Sequence, residues 1–284
     1  MSALILPLRK RSLPKFTTLA LHAILVLVAA FFIYPLAWIL MTAFKSPADI
    51  ARSPWSVPQA LDFANFVQAW QIIKMDRLLF NSLFVSITAT VATTLFAMAA
   101  AYSLVRSQNR LLSLARILFL GAMFFPLDIA MVSLFVELKS LKLLNTYAGL
   151  IAPYIAFNLP ISVLILNKAI RQVPGEILDS ATVDGANSWQ VLWRVLTPVI
   201  WPSIAAAAVL AFVNNWNEFL VALIATSNPD VKTLPVGIAA FLNRTDPQYN
   251  LLFAGIVIST VPMIVVFLTL QRQFIAGITS GAVK

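Results

Sequence analysis

The chain has no cysteine and one histidine, His22, in 284 residues. It therefore has no disulfide, thiolate nucleophile or Cys-ligated metal, and a single imidazole cannot make the histidine cluster of a zinc site. None of its eight glycines stands in a GxxxxGK[ST] pattern, so no loop of backbone amides is set to wrap the phosphates of ATP. An intramembrane protease needs a base or metal set beside its nucleophile. His22 has no evident partner and reads as an interfacial or helix-packing residue. Charge is scarce as well: 11% of residues are charged against 60% hydrophobic, and the mean hydropathy is +0.88. Such values exclude a soluble globular domain and indicate an integral membrane protein. The net charge of +9 would suggest nucleic acid in a soluble domain, but in a membrane chain it reads as basic flanks facing the cytoplasm, and no nucleic-acid partner is expected.

A span needs about 20 mostly apolar residues to cross roughly 30 Å of hydrocarbon. Six charge-poor intervals are long enough: 16–44, 78–105, 117–136 (which holds Asp128), 143–167, 195–217 with an extension to about 226, and 247–271. The expected fold is all-α and integral to the membrane, with six transmembrane helices and both termini on one side. It divides into a tail 1–15, a six-helix domain 16–271 and a tail 272–284. Arg9, Lys10, Arg11 and Lys15 precede the first interval like the start of a signal peptide, yet its apolar run of 29 residues predicts an uncleaved anchor. With the N-terminus inside, the cytoplasmic segments carry twelve Lys and Arg and the opposite side eight, four of them in the loop 45–77. The short flanks weigh most, which gives N-in and C-in.

Two longer external segments remain. Residues 45–77 hold Pro47, Pro54 and Pro58 and then an amphipathic stretch, read as lying along the membrane surface, while 227–246 read as a polar loop with an apolar centre. Ala97, Ala99, Ala100 and Ala101 in the second interval, and Ala205 to Ala208 in the fifth, are small enough for close helix approach and mark those helices as central. No inverted internal repeat is visible, which weighs against a carrier built from paired halves.

Between the fourth and fifth intervals lies EILDSATVDGANSWQVLWRVLTP, residues 176–198, with three of the eleven acidic residues. Pro174 can start a helix, and Glu176 and Asp179 in its first turns suit the helix dipole. Asp184-Gly185 can end it, because glycine accepts the left-handed conformation. Asn187 and Gln190 have the spacing of a capping box, and Pro198 and Pro202 break the chain on its return to the bilayer. Two short helices about a glycine corner result, presenting Ile177, Leu178, Ala181 and Val183 among polar residues. A mixed surface of this kind suits docking to a soluble partner.

This segment resembles the EAA loop of inner-membrane subunits of bacterial ABC importers, in which E-A-A, three residues, G, nine residues and I-x-L-P follow in order. Asp179, Ser180 and Ala181 stand at the E-A-A positions, Gly185 at the glycine, and Val195, Thr197 and Pro198 at I, L and P. Asp replaces Glu, Ser the first Ala, Val the Ile and Thr the Leu, and the shorter acid shortens the reach of any salt bridge to a partner. DGA at 184–186, WNEFL at 216–220, TLPVGIAAF at 233–241 and the ending QRQFIAGITSGAVK extend the likeness to the carbohydrate-importer branch, in particular its MalG-like subunits. The resemblance implies a non-catalytic permease subunit of the bacterial inner membrane that binds no cofactor directly. It implies a MalF-like companion permease, two cytoplasmic ATPase subunits that use ATP and Mg, an extracytoplasmic solute-binding protein and surrounding membrane lipid. In such a complex Asp179, Ser180, Ala181, Asp184, Gly185 and Pro198 would couple the permease to the ATPase. The alternative is a stand-alone channel or secondary carrier for a small polar solute.

Asp128, Asn158, Asn214, Asn215, Asn217 and Glu218 are the notable polar groups within the spans. A carboxylate near a span centre costs roughly 2.5–3.5 kcal/mol on insertion scales and should face a cavity or partner. Glu218 lies 16 residues beyond Pro202, ~24 Å along a helix, toward the external end. Asn214, Asn217 and Glu218, with Asp128, are candidates to border the translocation path or its external gate; bonds to the companion subunit are the other reading. Trp216 and Phe219 are read as packing groups, with stacking on a sugar ring as the alternative.

Overall fold

The computed structural model describes residues 15–106, 109–124, 126–242 and 246–279, and among these every regular element is helical. The long apolar intervals become long helices, because in hydrocarbon each backbone polar group must bond within its own segment. Helix α1 (Lys15–Ala43) is apolar on every side and lies largely exposed on the subunit's surface, buried only at its end, at Thr42 and Ala43. Two short helices follow on the 45–77 segment, α2 (Pro47–Arg52), capped by Ser46, and α3 (Ala64–Ile72). Beneath them Lys45 is buried, its Nζ donating to the carbonyls of Ser53 (3.3 Å) and Pro54 (2.8 Å), while Asn65 donates to the carbonyls of Ala43 and Lys45. Those bonds answer the end of α1 and hold the loop against it.

The centre of the bundle is α4 (Met75–Arg106) packed on α7 (Ala148–Gln172), with α11 (Trp201–Asn217) against both. Half of the α7 span is buried inside the subunit, compared with 39% for α4 and 17% for α14 (Tyr249–Thr279). The alanines do what their size allows: Ala97 and Ala101 on α4 and Ala205, Ala206 and Ala207 on α11 are all buried, so these backbones approach closely. At the other end of α4, the short helix α13 (Leu234–Ala239) lies so near that Gly237 has no room for a Cβ against Leu78.

Two expected spans have a different form. The 117–136 interval is not one helix: α5 (Arg110–Ala122) ends and α6 (Leu127–Ser140) begins across Pro126, which caps α6 with φ −68° and ψ 118°. Proline has no N–H for a preceding turn and pushes the residue before it out of the helical region, so the apolar run breaks there. The 195–217 interval bends by 86° between Ser188–Val199 and Trp201–Asn217. By length and apolarity, four single helices and this bent pair can cross a membrane among the described residues.

Candidate functional site: a helical corner and a polar cavity

The segment after α7 folds as its local code dictates. Helix α8 (Gly175–Val183) starts after Pro174, which is extended at ψ 132°, and ends at Asp184, whose N–H returns to the Ser180 carbonyl. Gly185 then takes φ +86°, a left-handed conformation, with open space around it. Asn187 opens α9 (Ser188–Gln190) with a reciprocal capping box: its side chain accepts from Gln190 N–H and its N–H donates to Gln190 Oε1, both at 2.9 Å. A π-helical turn, Val191–Leu196, and α10 (Thr197–Val199) carry the chain to the bend at Ile200. The wider turn is seen in Thr197, whose N–H and Oγ1 both donate to the Leu192 carbonyl five residues back. Pro198 follows at once, and Pro202 sits in the first turn of α11, where a missing N–H has no partner to lose.

What seats this corner is not local. Leu178 is 4% exposed and packs among Met98, Tyr102, Leu166, Ile170, Leu192 and Leu196, side chains of α4, α7 and the π-turn. Arg106, the last residue of α4, reaches Asp179 at 3.2 Å. On the outer side Ile177, Val183 and Trp189 are 40%, 87% and 65% exposed, beside exposed Asp179 and Asp184.

At the far end of α11 a polar layer crosses the bundle. Asn215 donates to Thr90 Oγ1 of α4 (3.1 Å) and accepts from Asn158 of α7 (2.8 Å); Asn158 Oδ1 in turn accepts from Asn214 (2.9 Å). Asn158, Asn215 and Thr90 are all buried, so three helices are tied by side-chain bonds within the packed bundle, with Asn214 at the layer's cavity edge. One turn on, the helix breaks at Glu218, which is extended at ψ 127°, and resumes as α12 (Leu220–Ala225). The Glu218 carboxylate closes the break: Oε1 accepts from Val221 N–H (2.8 Å), and Oε2 from Ala222 N–H (3.1 Å) and from Tyr154 O–H of α7 (3.0 Å). Beside this layer lies a cavity of about 430 Å³, with Tyr154, Phe157, Asn214, Asn217 and Glu218 in its wall.

Residues 93–280 match the family of binding-protein-dependent transport system inner membrane components, about two thirds of the chain. The chain belongs to that family. It is 33% identical over 265 residues to the diacetylchitobiose uptake system permease protein of Streptomyces coelicolor, covering 93% of this chain and 88% of that one. Similarity to the trehalose transport system permease protein of Mycobacterium tuberculosis is 32% over 263 residues, 91% of this chain and 94% of the relative. To the sulfoquinovosyl glycerol transport system permease protein of Agrobacterium fabrum it is 34% over 254 residues, 89% of each. The fold matches a chain from a crystal structure of a bacterial ABC transporter involved in the import of the acidic polysaccharide alginate, with TM-score 0.78 at 20% identity over 92% of this chain and 97% of that one. This protein is an inner-membrane transport permease.

Within this permease, of the six candidate coupling residues, Asp179, Ser180 and Ala181 lie on α8, Asp184 and Gly185 at its end, and Pro198 in α10 beyond the π-turn. Ala181, however, is half-buried against the core that holds Leu178, and Ser180 donates to the Ile177 carbonyl of its own helix. Leu178 is thus a root of the corner, while Ile177 and Val183 face outward. Of the four candidate path residues, Asn214, Asn217 and Glu218 share the cavity wall. Asp128 stands in the first turn of α6, and its side chain lies outside the described residues. Trp216 is 4% exposed and stacks on Phe212 in the core, ring centroids 5.9 Å apart. Tyr154 and Thr90 were not marked by sequence; Tyr154 stands one turn before Asn158 on the same helical face, which is the sign that was available.

Proposed function

We propose that this permease spans the membrane six times with both termini in the cytoplasm, forms half of the translocation path of a carbohydrate importer, and takes its motion from a cytoplasmic ATPase at residues 174–198. The sixth crossing is α5 and α6 taken together: at 13 and 14 residues, each is ~20 Å long, short of the roughly 30 Å of hydrocarbon. The companion is a MalF-like permease, two ATPase subunits use ATP and Mg, and an external binding protein delivers solute; this subunit binds no cofactor and catalyses no reaction. Relatives that take up diacetylchitobiose and trehalose support the carbohydrate class.

The observation that carries the reading is the corner itself, exposed at Ile177, Val183 and Trp189 and rooted through Leu178 in the core of α4 and α7. A partner that grips the exposed face moves the two most buried spans with it, since a packed core shifts as a body rather than deforming. Asp179, Ser180, Asp184 and Gly185 shape the gripped face, Ala181 backs it, and Pro198 sets where the chain turns into the bundle. Single cysteines placed at positions 183 and 230 test the sidedness with no background from this chain, which has no cysteine of its own, once labelling is read on this subunit's band. Val183→Cys in the complete transporter should react with a membrane-impermeant maleimide only from the cytoplasmic side and be shielded by the ATPase, and Asp230→Cys only from outside. Labelling of position 183 in intact cells, or solute flux through this subunit alone in liposomes, would overturn the reading.

A further inference from the structure

The carbohydrate reading leaves the charge of the solute open, for the relatives serve uncharged saccharides in two cases and a sulfonated glycoside in another. The cavity wall bears on that choice. Among the described residues that form it there is no lysine, arginine or histidine, and its one carboxylate is Glu218. A phosphate, sulfonate or uronate entering here meets the Glu218 carboxylate, with no guanidinium or ammonium among the described wall residues to pair with it.

Nor does Glu218 stand ready as a hydroxyl acceptor. Two backbone N–H groups and the Tyr154 hydroxyl already fill three of the roughly four lone-pair sites of its carboxylate. The acceptors left over are amide oxygens. Asn214 gives its Nδ2 to Asn158 Oδ1 and Asn217 gives its Nδ2 to the Val213 carbonyl, each at 2.9 Å. No donor among the described residues reaches either Oδ1, and both side chains are exposed in the cavity. Neutral carbonyl acceptors beside the apolar surface of Phe157 and Val213 complement a molecule that offers O–H donors on its rim and C–H groups on its face.

We infer that this permease carries an uncharged, polyhydroxylated solute and selects against phosphorylated, sulfonated and uronic solutes at this wall, with Asn214 and Asn217 as the hydroxyl-accepting groups. The inference rests on the importer reading above. The complete transporter with its binding protein, reconstituted in proteoliposomes, is compared for trehalose, diacetylchitobiose and raffinose against sulfoquinovosyl glycerol, glycerol 3-phosphate and alginate oligosaccharides. The best neutral solute should exceed the best anion by at least about tenfold in kcat/KM, the scale of one uncompensated charge contact. Asn217→Lys should reduce that ratio about tenfold by supplying the missing cation, while Asn217→Gln, which keeps a neutral acceptor, should leave it within about twofold. An anion carried as well as the neutral solutes, or a ratio unmoved by Asn217→Lys, overturns the inference and leaves the importer reading standing. Absence of ATP-dependent flux across the whole set overturns both.

Discussion

The corner at 174–198 and the polar layer around Asn158 are both turns of a helical chain stabilised by side-chain amides, yet they are built over different distances. Asn187 and Gln190 bond three residues apart, and the corner's glycine and terminal aspartate act on their own turn. In the layer, Asn214 meets Asn158 across 56 residues, Tyr154 meets Glu218 across 64 and Asn215 meets Thr90 across 125. The first is a shape that a short peptide code specifies; the second exists only once α4, α7 and α11 have packed. In the role proposed for it, the corner has to keep its shape while its surroundings change, and local bonds suit that. The layer, proposed to border a path, is held by bonds that run between helices.

The comparison breaks at one residue, because the corner's shape is local but its seat is not. Leu178→Ala should give the largest effect: removing a fully packed leucine costs about 2–5 kcal/mol through lost transfer energy and the cavity left behind. The expected outcome is a fall in midpoint for detergent-solubilised complex in thermal or denaturant unfolding, with ATP hydrolysis uncoupled from solute flux. Leu178→Met, which conserves volume, should lose less than about 1.5 kcal/mol. An alanine variant as stable and coupled as the native permease would show that the corner is not rooted in the core. The layer comes next. Asn158→Ala leaves Asn214 Nδ2 and Asn215 Oδ1 without their partner in a buried site, at about 1–3 kcal/mol. Asn158→Leu should be worse than Asn214→Ala, since Asn214 is exposed on one side and can turn to the cavity. Equal losses in the two would mean that the layer is wet and does not tie the helices.

The same difference in distance explains what could be read from the sequence. Residues 174–190 carried proline, glycine and a capping pair at fixed offsets, and each fell where its offset placed it. The central position of the alanine-rich helices was also legible, because small size has one structural use at a helix contact. Hydropathy, by contrast, counts residues and does not see a turn: the 117–136 run passed as one helix although Pro126 stood in it with Asp128 just beyond, the ordinary sign of a helix start. Glu218 was noticed for its charge and read as bordering the path or its gate, or as bonding to a companion subunit. Its larger role is to cap α12 across a broken helix, which depends on Val221, Ala222 and Tyr154 together. Thr90 and Tyr154 belong to runs with no local irregularity, so only the packed structure joins them to the layer.

The corner is also tied to the end of α4 by charge, through a residue that sequence reading assigned to a partner. Asp179 pairs with Arg106 of this same chain at 3.2 Å, with side chains 71% and 39% exposed. Exposed pairs of this kind are worth about 0–1 kcal/mol and are screened by salt. Asp179→Asn and Arg106→Gln should therefore each move the unfolding midpoint of the complex only slightly, and the double variant should show a coupling energy below about 1 kcal/mol that vanishes at high ionic strength. Function should respond differently from stability. If Asp179 serves chiefly to fix the corner against α4, Arg106→Gln and Asp179→Asn will change solute-stimulated ATP hydrolysis equally and non-additively. If Asp179 is instead released to a basic group of the ATPase during the cycle, Asp179→Asn will weaken ATPase association while Arg106→Gln strengthens it, because the competing partner within the chain has been removed. The sign of the Arg106→Gln effect on association, measured in the complex at low salt, decides between a strut and a latch.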